Sequence, residues 1–329
     1  MQLGVQRPLL ETNALKEAEL AHILARESSI HIAGYACRLP GAASVPELWT
    51  VLRERRCTIG EVGAGRWPRA RYLHPRQGEP GKAYTFPAGT LDAPWSFDPV
   101  VFGISPREAA QIDPQQRLLL ELVWEALEDA GVPPSRIAGT AVGVYVGASS
   151  VDHGTRRVFD ATGGDAYYMT GSALSLIANR ISYCFDFSGP SLVVDTACSS
   201  SLVALHQAVA ALRDGTIDTA VVAGVNILLN PFPFIGFSGA RMLSPEGLCR
   251  AFSAHGQGYV RSEGGVVMVL AREGAPVLRF GAPHANIIAT GVNSDGKTVG
   301  VSLPSYEAQG RLLRTVYDGA GIDPDQLAF

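Results

Sequence analysis

The sequence predicts an α/β protein, and three observations carry that reading. Short β-branched runs such as Ile30–Gly34 alternate along the chain with stretches whose apolar residues recur at helical spacing. Residues 189–229 read as strand, tight turn, helix and strand in succession, the pattern of a βαβ-like unit. With 47% hydrophobic and 18% charged residues, a chain of 329 can bury an extensive core. At roughly 150 residues per domain, that length suggests about two domains or one large duplicated one.

Charge and composition exclude several classes of function. The 27 basic residues stand against 31 acidic ones, a net charge of −4, which gives no general reason to hold a nucleic-acid backbone or an anionic membrane. The 36 glycines are dispersed with no fixed period, so they mark turns and close backbone approaches and not a repeat architecture. Five cysteines, odd in number and without CxxC spacing, argue against a disulfide framework and against a cysteine-based zinc site, and fit a reducing, cytoplasmic setting. The opening MQLGVQRPLLETNALKEAELAHIL lacks a signal-peptide pattern, and no stretch reaches about 18 uninterrupted apolar residues, so neither secretion nor a membrane span is expected.

In chain order, residues 1–29 read as a leader helix around Leu15–Leu24 followed by a linker, either a plain surface helix or a docking segment. Ile30–Gly34 is a strand, and VPELWTVLRERR at 45–56 is a helix. The stretch from Cys57 to Phe97 is rich in Gly, Pro, Arg and aromatics without a sustained period, and is expected to be a long irregular surface excursion. With the preceding helix it holds Arg53, Arg55, Arg56, Arg66, Arg69, Arg71 and Arg76, which read as a solvated face or as a docking surface for an acidic partner. Residues 105–130 open with Ser-Pro, carry a second helix start at Asp113-Pro114, and set Leu118, Leu119, Leu122, Val123, Leu127 and Ala130 on one stripe before Gly131 and Pro133 stop the helix. Residues 141–149 then read as a buried strand and 171–185 as an apolar helix.

The chemistry concentrates in residues 189–229. Ser191–Asp195 is a strand, Ser199–Arg213 a helix ended by Asp214-Gly215, and Thr219–Leu229 a buried strand, which puts Cys198 at the strand-to-helix turn. A helix N-terminus favours the thiolate of such a residue, the sharp turn presents its sulfur, and the following amides can hold an oxyanion. The small neighbours Ala197, Ser199, Ser200 and Ser201 leave room for a thioester carbonyl. A buried structural thiol is the alternative for any lone cysteine, and this context favours the nucleophile.

The string VDTACSSSLVALHQA resembles the active-site signature of β-ketoacyl synthases, in the form found in modular type I polyketide synthases. FGISPREAAQIDPQQRLLLELVWEALEDAG at 102–131, RMLSPEGLCRAF at 241–252 and GYVRSEGG at 258–265 agree with it, in order. The resemblance runs from about residue 30 to the last residue. It implies a thiolase-like fold in which two related halves stack as α/β/α/β/α layers and dimerise through a strand preceding the nucleophile. For Cys198 it implies attack on an acyl thioester carried by an acyl carrier protein. Decarboxylation of a malonyl-type extender and condensation to a β-ketoacyl thioester would follow. No cofactor or metal is bound directly, because the phosphopantetheine arm arrives on the carrier.

The family's two catalytic histidines lie in HGTGT-like and NIGH-like strings, and neither occurs among the seven histidines here. The expected organisation is therefore an N-terminal half with the nucleophile over residues 30–275 and the start of a truncated C-terminal half over 276–329, with NIIATGVNSDG at 286–296 as its first strand. A complementary chain supplying both histidines would complete a split enzyme, as a homodimer or heterotetramer; the alternative is a non-condensing, truncated or scaffold protein. Two departures fall at 251–265, where the family commonly has aspartates in place of Ser253 and Gln257. His255 nearby reads as a solvated loop residue and not a replacement catalyst. His206 lies about 12 Å along its helix from Cys198, too far for a direct base. Cys37 and Cys184 read as inert core thiols, Cys57 and Cys249 lack a partner pattern, and Asn293–Gly296 reads as a turn.

Overall fold

Nine strands lie among the residues described by the computed structural model, which are 29–63, 65–157 and 165–327. In chain order they are β1 (Ile30–Arg38), β2 (Ile59–Glu61), β3 (Pro87–Gly89), β4 (Val142–Gly147) and β5 (Ser191–Val194). β6 (Thr219–Asn226), β7 (Arg261–Ser262), β8 (Gly264–Arg272) and β9 (Ala285–Ile287) follow. Six form one mixed sheet in the order β5-β4-β6-β8-β1-β9, and β2, β3 and β7 form a small second sheet. In the large sheet β4 runs parallel to both β5 and β6, whereas β8 is antiparallel to β6 and β1, and β9 is antiparallel to β1.

The longer helices are α1 (Val45–Arg53), α2 (Pro114–Asp129), α3 (Leu176–Phe185), α4 (Ser200–Arg213), α5 (Phe232–Gly239) and α6 (Tyr306–Ala320). Both helix starts expected near residues 105 and 113 occur. Ser105 caps a short turn at Pro106–Ala109 by accepting from the Glu108 N–H, and Asp113 caps α2 by accepting from the Gln115 N–H. The predicted stripe of α2 is buried against β1 and β8. Each Leu or Val removed from water there contributes about 1.5–3 kcal/mol. With α3 beside it, α2 covers one face of the sheet, and α4 covers the other through Ala204, Ala208, Val209 and Leu212.

Several sequence expectations change. The excursion at 57–97 is not merely a surface loop. It carries β2 and β3, and packs Val62, Trp67, Ala83 and Phe86 against Leu228, Phe234 and Leu243, with the Trp67, Phe86 and Phe234 rings 5.1–5.8 Å apart. The strand read over 286–296 is three residues long, Ala285–Ile287, and pairs with β1 at the edge of the first sheet. Residues 288–304 after it form no strand or helix, and α6 packs back on them through Val316 and Leu312 beside Gly291. The strand expected over Thr219–Leu229 ends at Asn226, and Ile227–Leu229 continue as buried irregular chain. The leader helix lies outside the described residues. Among those residues, no helix is long and apolar enough to cross a membrane.

Candidate active site

Cys198 sits where the sequence reading places it, between β5 and α4, in a single turn of tighter helix at Ala197–Ser199. The turn is held by the side chains around it. Asp195 Oδ1 accepts from the Ala197 N–H at 3.0 Å, and Ser200 Oγ accepts from the Thr196 N–H at 2.9 Å and donates to the Ala197 carbonyl at 2.6 Å. Ser199 Oγ donates to the Thr196 carbonyl at 2.9 Å. These bonds hold Ala197 at φ 55°, a left-handed conformation costly for a residue with a Cβ, and so turn the next residue outward. Cys198 is accordingly exposed.

Two glycines let the helix come this close to the sheet. A Cβ on Gly147 of β4 would meet the Ser201 N at 2.3 Å, and one on Gly224 of β6 would meet the Ser201 Cβ at 2.8 Å. The N-terminus of α4 thus rests on the C-terminal ends of the parallel strands β4, β5 and β6, where α/β sheets place their ligand crevices. One expectation changes at this point. The amides after Cys198 are engaged within the turn, Ser199 N–H to the Thr196 carbonyl and Ser200 N–H to the Ala197 carbonyl, so the oxyanion is not assigned to those two.

A cavity of about 840 Å³ opens beside Cys198, within the size range of small-molecule sites. Its wall is mainly apolar, with Leu205, Val222, Val225, Met242 and Met268, and Tyr259, Arg261 and Glu263 add polar groups. Among the described residues lining it there is no histidine. His206 instead bonds the Thr290 Oγ1 at 2.8 Å, tying α4 to the chain after β9, and His255 lies in an exposed segment. Burial pushes the Tyr259 hydroxyl above its ordinary pKa, with Arg261 opposing the shift and Cys198 adding to it, so all three groups share one electrostatic neighbourhood.

Sequence reasoning missed three features here. The first is Arg66, read with the surface arginines. It is buried and forms a two-pronged ion pair with Glu263, at 2.9 and 2.5 Å, while its Nη1 also donates to the Leu228 carbonyl at 2.5 Å. Glu263 accepts in addition from the Leu91 and Leu228 N–H groups, so every lone-pair direction is used and the excursion is locked to the cavity wall. The second is Asp152, whose Oδ2 accepts from the Leu229 and Asn230 N–H groups at 3.0 and 3.3 Å and fixes the irregular segment after β6. Burial raises its pKa. The third is Arg261, in the wall itself. Arg261 and Glu263 lie in the GYVRSEGG string, but no spacing gave them or Arg66 and Asp152 a role, because burial is invisible before the fold is known.

The remaining thiols are distinguished by their burial and partners. Cys37 is buried and Cys184 half-buried, with burial raising both thiol pKa values, and Cys57 and Cys249 are exposed without a disulfide partner. Among the described residues no His, Cys, Asp or Glu cluster could hold a metal ion.

Comparison with known proteins agrees with this geometry. Residues 27–275 match the family model described as the beta-ketoacyl synthase N-terminal domain. The chain is 42% identical over 306 residues to polyketide synthase ThaG of Burkholderia thailandensis, covering 93% of this chain and 5% of that protein. It is 42% identical to a mycocerosic acid synthase-like polyketide synthase of Mycolicibacterium smegmatis, covering 90% of this chain and 14% of the relative. Among solved structures, it resembles an oxazolomycin ketosynthase domain of Streptomyces albus at TM-score 0.86 and 39% identity, over 91% of this chain and 52% of that one. The ketosynthase from module 6 of the Bacillus subtilis bacillaene synthase gives TM-score 0.81 and 36% identity, over 90% and 50%. The chain thus spans about half the length of these solved ketosynthases, and it shares their thiolase-like fold over that half.

Proposed function

This chain belongs to the β-ketoacyl synthase family, as its N-terminal domain, and from that premise we propose that it forms the nucleophile-bearing part of a polyketide synthase ketosynthase. The observation that carries the reading is the exposed Cys198 on a strained, side-chain-braced turn at the mouth of an apolar cavity. The Cys198 sulfur attacks the carbonyl of an acyl thioester delivered on the phosphopantetheine arm of an acyl carrier protein. An S–C bond to Cys198 forms, the carrier's C–S bond breaks, and the proton lost by Cys198 ends on the departing thiol. Nothing in that transfer requires a metal or a redox cofactor.

Condensation with a malonyl-type extender then needs groups that assist loss of carbon dioxide and stabilise the enolate. No histidine among the described residues lines the cavity, so we assign that role to the family's two histidines, supplied by a C-terminal segment or by a complementary chain. β5 bears on the partner question. Among the described residues it is an edge strand of the large sheet, bonded to β4 alone, and it immediately precedes the nucleophile turn, which favours pairing with β5 of a second copy. Free thiols at all five cysteines suit a reducing cytoplasm.

Intact-protein mass spectrometry after incubation with an acyl thioester tests the proposal, with Cys198→Ala as control and with and without a polypeptide carrying HGTGT-like and NIGH-like strings. An acyl mass lost in Cys198→Ala supports transfer to Cys198, and product formed only with the second polypeptide supports completion in trans. No acylation in any mixture would leave a non-condensing scaffold as the better account.

A further inference from the structure

The cavity beside Cys198 has a floor, a flank and a closed end. Its floor is one face of the large sheet, where Asn226, Gly224 and Val222 of β6 stand opposite Gly264, Val266 and Met268 of β8. Its flank is the side of α4 that carries Ser201, Leu202 and Leu205. A Cβ on Gly224 would meet Ser201 at 2.8 Å, so Ser201 stands over Gly224. Cys198, nearly a turn earlier, is then level with the Asn226 and Gly264 end, and Leu205, a turn later, with Val222 and Met268. Gly264, Val266 and Met268 are half-buried, whereas the next residues on that face, Leu270 and Ala220, are wholly buried, as are Val209 and Leu212 farther along α4. Leu205 and Met268 pack against this sealed cluster, and with Val222 they close the far end.

Two rulers give the depth. Cys198 to Leu205 is about 10 Å of helical rise, and Gly264 to Met268 is about 13 Å of strand. With C–C bonds of about 1.5 Å in a zigzag, that distance holds an extended acyl chain of about eight to ten carbons. We infer that this cavity selects acyl groups by their length, and that Met268 sets the limit. The inference rests on the acyl-transfer reading of Cys198, because the bond to sulfur fixes where the chain starts. The cavity of about 840 Å³ is wider than one extended chain, so length and not girth is the dimension it reads. Among the residues at the closed end, Val222 is 5% exposed and Leu205 sits on the helix that presents Cys198, whereas Met268 is a half-buried, flexible side chain whose size moves the end directly.

The test gives the full chain butyryl, octanoyl and dodecanoyl N-acetylcysteamine thioesters and follows acylation of Cys198 by mass. Alkyl methanethiosulfonates of the same three lengths form mixed disulfides with any accessible thiol, releasing methanesulfinate, and their labelling of Cys198 is read against the exposed Cys57. In both series the unsubstituted chain is expected to use the twelve-carbon reagent about 10-fold or more less well than the eight-carbon one, because carbons forced past the end overpack a sealed core. Met268→Ala should raise the twelve-to-eight ratio at least about fivefold, and Met268→Trp should lower the eight-to-four ratio about 10-fold. A merely structural role for Met268 would move all lengths together, and that result overturns the inference. Equal use of eight and twelve carbons by the unsubstituted chain overturns it too, whether or not circular dichroism shows either variant folded. Acylation without a length limit sinks the gauge and leaves acyl transfer standing. A length limit in disulfide labelling that shifts with Met268, with no acylation by any thioester, sinks the acyl-transfer reading and leaves the gauge.

Discussion

Replacing Asp113 by asparagine should make the protein's stability less sensitive to rising pH. Asp113 is 3% exposed at the start of α2, and its Oδ1 and Oδ2 accept from the Gln115 N–H and Nε2. Burial pushes its pKa from 3.8 up to about 6 despite those bonds and the nearby Arg117, and Asp152 adds like-charge repulsion. The folded protein therefore holds this proton more tightly than the unfolded chain. Stability from the protonated form is fully present below 3.8 and is lost as pH rises through about 6. A gap of about two pKa units corresponds to roughly 3 kcal/mol, most of it developing between about pH 4 and pH 7. Asparagine keeps the cap through its own Oδ1, since Asn is as good a cap as Asp, and loses the bond from Gln115 Nε2 at about 1 kcal/mol, a cost independent of pH. Urea unfolding of both proteins at about pH 4 and pH 7 then reads one quantity, the variant's stability minus the parent's. That difference should rise by about 2–3 kcal/mol toward neutral pH. A difference that stays constant would refute the buried, proton-holding carboxylate.

The other expectations concern the turn, the ion pair and the core. Cys198→Ala should remove thioester acylation while leaving the melting temperature near that of the parent, because the thiol is exposed. Ala197→Gly should stabilise by about 1 kcal/mol in denaturant unfolding, since φ 55° carries a left-handed penalty that glycine avoids. Arg66→Met should cost about 3–5 kcal/mol in the same assay, because Glu263 would stay buried with its charge uncompensated. Leu119→Ala should cost about 2–5 kcal/mol, as the side chain is wholly buried between α2 and the sheet.

How much of this was legible in the sequence depends on how local its cause is. The two helix starts at Ser105 and Asp113 were readable because a cap and a following proline act within four residues. The Cys198 turn was readable because a short apolar strand, small residues and a helix period adjoin in one segment. Arg66 was misread because its partner lies 197 residues away, and a solvated arginine and a buried one look alike until the chain is folded. The brevity of β9 was hidden for a related reason. NIIATG has strand composition, but in this antiparallel pair Ile287 faces Ile30, the first residue of β1, and pairing does not continue past it.

The same distinction separates what Cys198 needs in order to be presented from what it needs in order to condense. Its presentation depends on β4, β5, β6 and α4, on Gly147 and Gly224 admitting the helix, and on the Asp195 and Ser200 bonds that hold Ala197. All of these lie within residues 142–226. The wall that would read an acyl chain draws in addition on Phe237, Met242 and the Tyr259–Met268 segment, whose Glu263 is locked to the 57–97 excursion by Arg66. Perturbing the lock should therefore alter which acyl groups are accepted more than whether the sulfur is exposed. Arg66→Met, at temperatures where it remains folded, is expected to change relative acylation rates among thioesters of different shape while thiol labelling of Cys198 by a small alkylating reagent stays near the parent rate. Loss of labelling in step with acylation would show instead that the turn and the wall form one unit.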